Sequence, residues 1–464
     1  MPSDLHYLSL DEVARRLKAR KLSSVELTGA MLDRIGEIDP KLKSYATLTA
    51  DRALADATRL DAETAAGTSR GPLHGVPIAV KDLCNTEGVA TAAGMAIHRA
   101  NVPSADATVV TRLKQAGAVI LGKLQMTEGA YGAHHPAIPA PLNPWNAAYW
   151  AGSSSSGSGA ATAAGLCFAS LGSDTGGSIR FPSTMNGLSG LKPTWGRVSR
   201  AGVFPLAESL DHIGPMTRSA LDAAIVLGVI AGADEADPTA VGLPVPDYVA
   251  GLDAGVRGKR IGLATNMHGI DADAQRALEG AVAAFRKAGA TIVDVKLPAN
   301  FDQGSRDWVP LCGIEAAVAH EATYPSRASE YGPVLSGLLD QGHLLSATDL
   351  AKMQLRRAAL TGELNKLLAS VDLLLMPVMG KAVWSTEALL SAGRDPEAVA
   401  GRLRYTAPFD LSGHPTLTLP GGMTADGVPV GFQIVAKAFD EGPILAAGHV
   451  YQQQTDWHLK RPPL

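Results

Sequence analysis

The sequence predicts an α/β protein, with a large mixed β-sheet covered by helices on both faces. Three observations predict it. From about residue 70 to the C-terminus, short apolar runs alternate with longer amphipathic stretches, the texture of strands separated by helices. The first sixty residues carry helix-start signals instead. The chain has 464 residues, 46% hydrophobic and 19% charged, which are the proportions of a globular protein able to bury a large core.

The elements follow in order. Ser9-Leu10-Asp11-Glu12 and Ser23-Ser24-Val25-Glu26 both fit the capping box, in which a hydroxyl and a carboxylate reciprocally satisfy orphan N–H groups. Leu27, Met31, Ile35 and Ile38 then recur at helical spacing. Strand-like runs are expected at 76–80, 119–121, 261–264, 292–295, 373–376, 416–419 and 430–435. Helices are expected at 107–117, 157–166, 271–288 and 347–370, with a closing helix from Pro443. The Asp/Pro-rich segment 234–258 is the best candidate linker, but strand-like runs continue beyond it. The expected organisation is therefore an N-terminal helical extension, 1–65, packed on one α/β domain, 66–464.

Composition removes several function classes. With 41 basic against 45 acidic residues and no Lys/Arg run, nothing favours a nucleic-acid partner. Cys84, Cys167 and Cys312 are too scattered for a disulfide framework or a zinc site. The opening MPSDLHYLSLDE lacks a basic stretch followed by an apolar one, and the longest apolar run, 223–233, is too short to span a bilayer. A cytoplasmic protein without membrane contact is expected.

Glycine clusters invite a phosphate-binding reading, which fails. Gly117 to Lys123 fits G-x-x-x-x-G-K, but Leu124 stands where Ser or Thr must hold magnesium, and the interior reads as a strand. Gly157-Ser158-Gly159 starts a G-x-G-x-x-G, yet Thr162 takes the third glycine position. No G-x-S-x-G elbow surrounds Ser154, Ser155, Ser158 or Ser178. His320-Glu321 does not continue into a zinc-binding helix, and His134-His135 read as polar loop residues.

Three pieces remain: GVPIAVKD at 75–82, the serine run 153–156, and DTGGS at 174–178. Lys81 follows an apolar strand. It is either a strand-end lysine reaching solvent or a buried amine whose depressed pKa makes it a base. Ser178 follows two glycines. That turn is either a plain strand-to-helix connection or a set of backbone N–H groups arranged for an oxyanion. Taken together, two serines and a lysine base make a chemically complete set without histidine.

These residues resemble the amidase signature hydrolases. The resemblance runs from about residue 5 to 460 and centres on GSSSSGSGAATAAGL at 152–166, LGSDTGGSIRFPS at 171–183 and GLKPTWGRVS at 190–199. SLDHIGPMTR at 209–218 and PVGFQIV at 429–435 resemble further family elements. The resemblance implies the amidase signature fold and a Ser-cisSer-Lys triad, with Lys81 as base, Ser178 as nucleophile and Ser154 as the bridging serine. Ser154 is chosen because the family's bridging serine lies 24 positions before its nucleophile, and 178 − 154 = 24. Ser153 departs from the family, which usually has glycine there.

By the same resemblance the N–H groups of Thr175, Gly176, Gly177 and Ser178 hold the oxyanion. Asp174 and Arg180, which flank the turn, are expected to hold it by hydrogen bonds, with a direct substrate contact by Arg180 as the lesser alternative. By the resemblance, the segment between Lys123 and Asn143, with Met126, Gly129 and Tyr131, lines the substrate pocket. The expected activity is hydrolysis of small carboxylic amides through an acyl-enzyme, with aryl amides, esters and carbamates in reach. No metal or cofactor is expected, and a homodimer is implied by resemblance alone. The alternative is the A subunit of a tRNA-dependent amidotransferase. Its usual sequence before the long helix is not recognisable at 325–345.

Overall fold

The computed structural model describes residues 5–393 and 395–464. Eleven strands form one mixed sheet among the described residues: β1 Tyr45–Leu48, β2 Pro77–Lys81, β3 Val119–Leu124, β4 Ala169–Asp174, β5 Ser189–Lys192, β6 His212–Thr217, β7 Arg260–Ala264, β8 Thr291–Val295, β9 Leu373–Pro377, β10 Thr416–Met423 and β11 Pro429–Val435. Their spatial order is β1-β3-β2-β4-β6-β5-β10-β11-β9-β7-β8. Pairing is parallel among β3, β2 and β4 and among β8, β7 and β9, and antiparallel elsewhere.

The expected large mixed sheet is therefore present. Every residue of β2, β3 and β4 is buried, which accounts for the apolar runs Pro77–Val80 and Val119–Leu121: helices cover both faces. The end strand β1 alternates between half-buried and exposed residues, and no residue of β8 is fully buried, as befits one-sided edges. One main apolar core runs through the molecule, from Leu5 to Tyr451.

Ser23 and Glu26 close a full capping box at the start of the helix Ser24–Leu42. The box at Ser9 is half closed. Ser9 Oγ accepts the Glu12 N–H, while the Glu12 carboxylate turns to Arg15 and Arg16. The helical pattern of the first sixty residues is also interrupted. Residues 45–48 form β1, which pairs antiparallel with β3 because their backbone groups complete its open edge. Segment 234–258 separates β6 from β7, yet β7 joins the same sheet beside β9. No helix among the described residues is long and apolar enough to cross a membrane.

Candidate active site

The site forms where two parallel strands end. In register, Ile78 faces Ala169 and Val80 faces Leu171, so the C-terminal ends of β2 and β4 reach the same sheet edge. Crevices outside the carboxyl ends of parallel strands are where α/β folds bind ligands. Lys81, the last residue of β2, is fully buried. Its Nζ lies 2.6 Å from Ser154 Oγ and 2.7 Å from Ser173 Oγ, and it makes no ion pair among the described residues. Burial brings the ammonium down to about 7, against the pull of Cys84, Asp174 and Asp211 in the other direction.

Local packing separates Ser154 from its neighbours Ser155, Ser156 and Ser158. The helix Ser156–Ala163 is buried at every residue. A Cβ at Gly159 would sit 2.6 Å from Asn186 Nδ2, and one at Gly157 would press into the backbone of Ser44 and Gln125, so only small residues fit. Ser155 Oγ bonds Ser173 O and accepts the Ser173 N–H, and Ser158 Oγ donates to Leu171 O. Ser156 Oγ lies 3.1 Å from His134 Nε2. Of these four, Ser154 alone bonds Lys81, and the Ser153–Ser154 peptide bond is cis.

After β4 the chain turns through 175–178 into the helix Arg180–Asn186. From 154 to 186, all of them described residues, Ser178 alone is half-buried and every other residue is buried. The bonds of Lys81 reach Ser154 and Ser173 and do not extend to Ser178.

Asp174 anchors the turn. Its carboxylate accepts the N–H groups of Gly177 (2.6 Å), Ile179 (3.0 Å) and Arg180 (3.3 Å) and a bidentate pair from the Arg180 guanidinium. The Gly177 N–H, expected among the oxyanion donors, is thus directed onto Asp174. A short Asx-type bond within the turn wins over the site.

Arg180 is fully buried, which places it in the turn's framework and away from solvent. Its Nη2 also donates to Asp410 (2.5 Å), and its Nη1 to Thr406 O (3.0 Å). Burial alone would raise both carboxyls. Arg180 overcomes this for Asp174 and holds it well below the usual range, whereas Asp410 stays pushed up. Thr175 Oγ1 donates to Asp211 (2.6 Å), whose carboxyl burial raises to about 6.

The residues expected to line a pocket divide. Met126 is fully buried within the main core. Gly129 has φ +55, and a Cβ there would meet Leu335 at 2.7 Å. Tyr131 is half-buried, and its ring stacks on Trp308 with centroids 6.4 Å apart and planes 16° from parallel. No group of acidic, histidine or cysteine side chains that could hold a metal ion is present among the described residues.

The Amidase family model matches residues 26–445. The chain belongs to the amidase family. The relative from Mycobacterium tuberculosis named "Putative amidase AmiD" is 50% identical over 98% of this chain and 96% of its own. The A subunit of glutamyl-tRNA(Gln) amidotransferase from a Geobacter species is 39% identical over 98% of this chain and 99% of its own. Among solved structures, a bacterial aryl acylamidase of the amidase signature family superposes with a TM-score of 0.89 at 25% identity, covering 99% of this chain and all of that one. This amidase is a hydrolase of carbon–nitrogen bonds, with the amidase signature fold.

Sequence reasoning missed several residues that this amidase brings to the site. Ser173 lies inside the quoted LGSDTGGS and could have been found as the residue beside Asp174. Trp308, Thr406 and Asp410 carried no signal. They sit in ordinary helical or loop sequence and meet the turn only through the fold.

Proposed function

We propose that this amidase hydrolyses small carboxylic amides through an acyl-enzyme on Ser178. The observation that carries the reading is the buried Lys81 Nζ, 2.6 Å from Ser154 Oγ and held near neutrality by desolvation. An amine that is half unprotonated near pH 7 is a competent base. Neutral Lys81 takes the proton of Ser154, which takes that of Ser178. Ser178 Oγ bonds to the carbonyl carbon as the C=O electron pair moves onto oxygen, where backbone N–H groups of the 175–178 turn receive it. Collapse breaks the C–N bond, and the proton returns through Ser154 to the leaving amine. Water then attacks the ester by the same relay and releases the carboxylic acid.

Asp174 and Arg180 act as the framework that holds the turn, and Tyr131 is the candidate pocket wall. The aromatic pair Tyr131–Trp308 favours flat acyl or aryl groups, so anilides and aryl carbamates are the first substrates to try. A second reading has its own observation, the 39% identity to the A chain of a glutamyl-tRNA(Gln) amidotransferase, which would make turnover depend on a partner chain.

The test is release of amine or ammonia by the purified chain alone from a primary carboxamide, an anilide and an aryl carbamate. Parent turnover on at least one, lost by at least about 10³-fold in Ser178→Ala, is the expected result. Absence of turnover on all three, with activity regained on adding the partner chains of such an amidotransferase, would replace it with the second reading.

A further inference from the structure

The turn that carries Ser178 is held by its carbonyls. Asp174 O lies 3.1 Å from His212 Nδ1, Trp308 Nε1–H donates to Thr175 O (2.6 Å), Thr406 Oγ1–H to Gly176 O (2.6 Å), and Phe181 N–H to Gly177 O (2.7 Å). The peptide bonds of this turn are trans, so in each unit the N–H points away from the anchored carbonyl. Fixing a carbonyl therefore aims the next residue's N–H. The Gly176–Gly177 unit is spoken for at both ends, by Thr406 and by Asp174. Among the described residues, the Thr175–Gly176 unit is gripped only at its carbonyl, by an indole from the helix Phe301–Ala319, 133 positions away. That indole is buried and pressed against Gly176, where a Cβ would lie 2.5 Å from its ring.

We propose that Trp308 is a positioning residue for acyl transfer. By gripping Thr175 O it turns the Gly176 N–H toward the oxyanion, so that Gly176 and Ser178, and not Gly177, supply aimed amides. The inference rests on Ser178 being the nucleophile. It also gives a second reason for the glycine at 176. The missing Cβ makes room for the indole that aims the amide.

The experiment compares the parent with Trp308→Phe, which keeps an aromatic ring and removes the N–H. Each is assayed with an anilide and inhibited by a matched pair of aryl ketones. The trifluoromethyl ketone adds Ser178 Oγ to its carbonyl carbon and becomes a bound oxyanion, its hydroxyl proton passing to the Ser154–Lys81 relay. The methyl ketone binds unreacted. The expected result is a fall in kcat of about 10- to 100-fold with KM within about threefold, since misaiming a donor loses part of the roughly 10²–10³ a deleted donor does. The trifluoromethyl ketone should weaken by the same factor as kcat falls, and the methyl ketone by less than about threefold.

Equal weakening of both ketones, a rise in KM alone, or no change would overturn the inference, because Trp308 would then be only a wall. If Trp308→Phe does not fold, site-specific Trp308→benzothienylalanine removes the N–H at nearly unchanged shape, and the same readings apply. Ser178→Ala runs beside both. Full turnover there would instead bring down the nucleophile assignment itself, which is a separable outcome.

Discussion

At the residue scale, two buried groups carry opposite pH signatures. Lys81 falls from 10.5 to about 7 on folding, so between those values the unfolded chain binds more protons and stability rises with pH. Lys81→Met should therefore raise Tm most below pH 7, with the gain over the parent shrinking toward pH 10.5. In the parent, kcat/KM should rise with pH through about 7 as the amine loses its proton. A rate profile flat between pH 5 and 9 would remove Lys81 as the base. Asp410 is displaced the other way. Its folded value lies above 3.8, so the stability it contributes at low pH is lost as pH rises. Asp410→Asn should be at least as stable as the parent at pH 8. Asp174→Asn should be clearly less stable there, because Asp174 is held ionised by Arg180 and contributes above 3.8. Thermal melts of both variants at pH 5 and 8 check the pair of signs.

At the element scale, the turn 175–178 and its flanking helix depend on Arg180, which joins Asp174, Asp410 and Thr406 O. Arg180→Met leaves Asp174 buried without its cation and should destabilise the fold by about 3–5 kcal/mol. Chemical denaturation with an unchanged slope would measure it. The same element shows why part of the site was legible. DTGGS and SSSSGSG stand out because a buried helix and a crowded turn admit only small residues, and that requirement is written locally at Gly157, Gly159, Gly176 and Gly177. The grip of Trp308 was not legible, since a tryptophan in an amphipathic helix reads as core. Nor was the loss of the Gly177 N–H to Asp174, which depends on how the turn closes. Asp410 meets Arg180 across 230 positions, and no local pattern encodes such a contact.

At the scale of the whole molecule, the alternation of runs was enough to read the mixed sheet, because strands such as β2 and β9 are buried at every residue and mainly apolar. By contrast, β4, β5 and β6 mix serine, glycine or histidine into buried strands and were not read as such. The strand β1 was hidden. Only four residues long and alternating in exposure, it lies between two strong helical patterns. It ties the N-terminal segment into the sheet beside β3, the strand next to the one that ends in Lys81. Removing residues 1–65 would bare the β3 edge and the core contacts of Leu27, Met31 and Ile35. The shortened chain should aggregate on expression, and the intact chain should unfold in one calorimetric transition. Two separated transitions, with the second matching a soluble 66–464 chain, would argue for an independent domain.

The full enclosure of Lys81 has one more consequence. An unprotonated amine is a better acyl acceptor than any hydroxyl, and acyl transfer onto it would leave a stable amide and a dead catalyst. Ser154 Oγ and Ser173 Oγ crowd the buried Nζ, so in the proposed mechanism the amine exchanges protons with the site through Ser154 but carbon cannot reach it. The chain would then resist self-acylation, and lysine-directed reagents such as acetic anhydride should leave its turnover intact while they modify the surface.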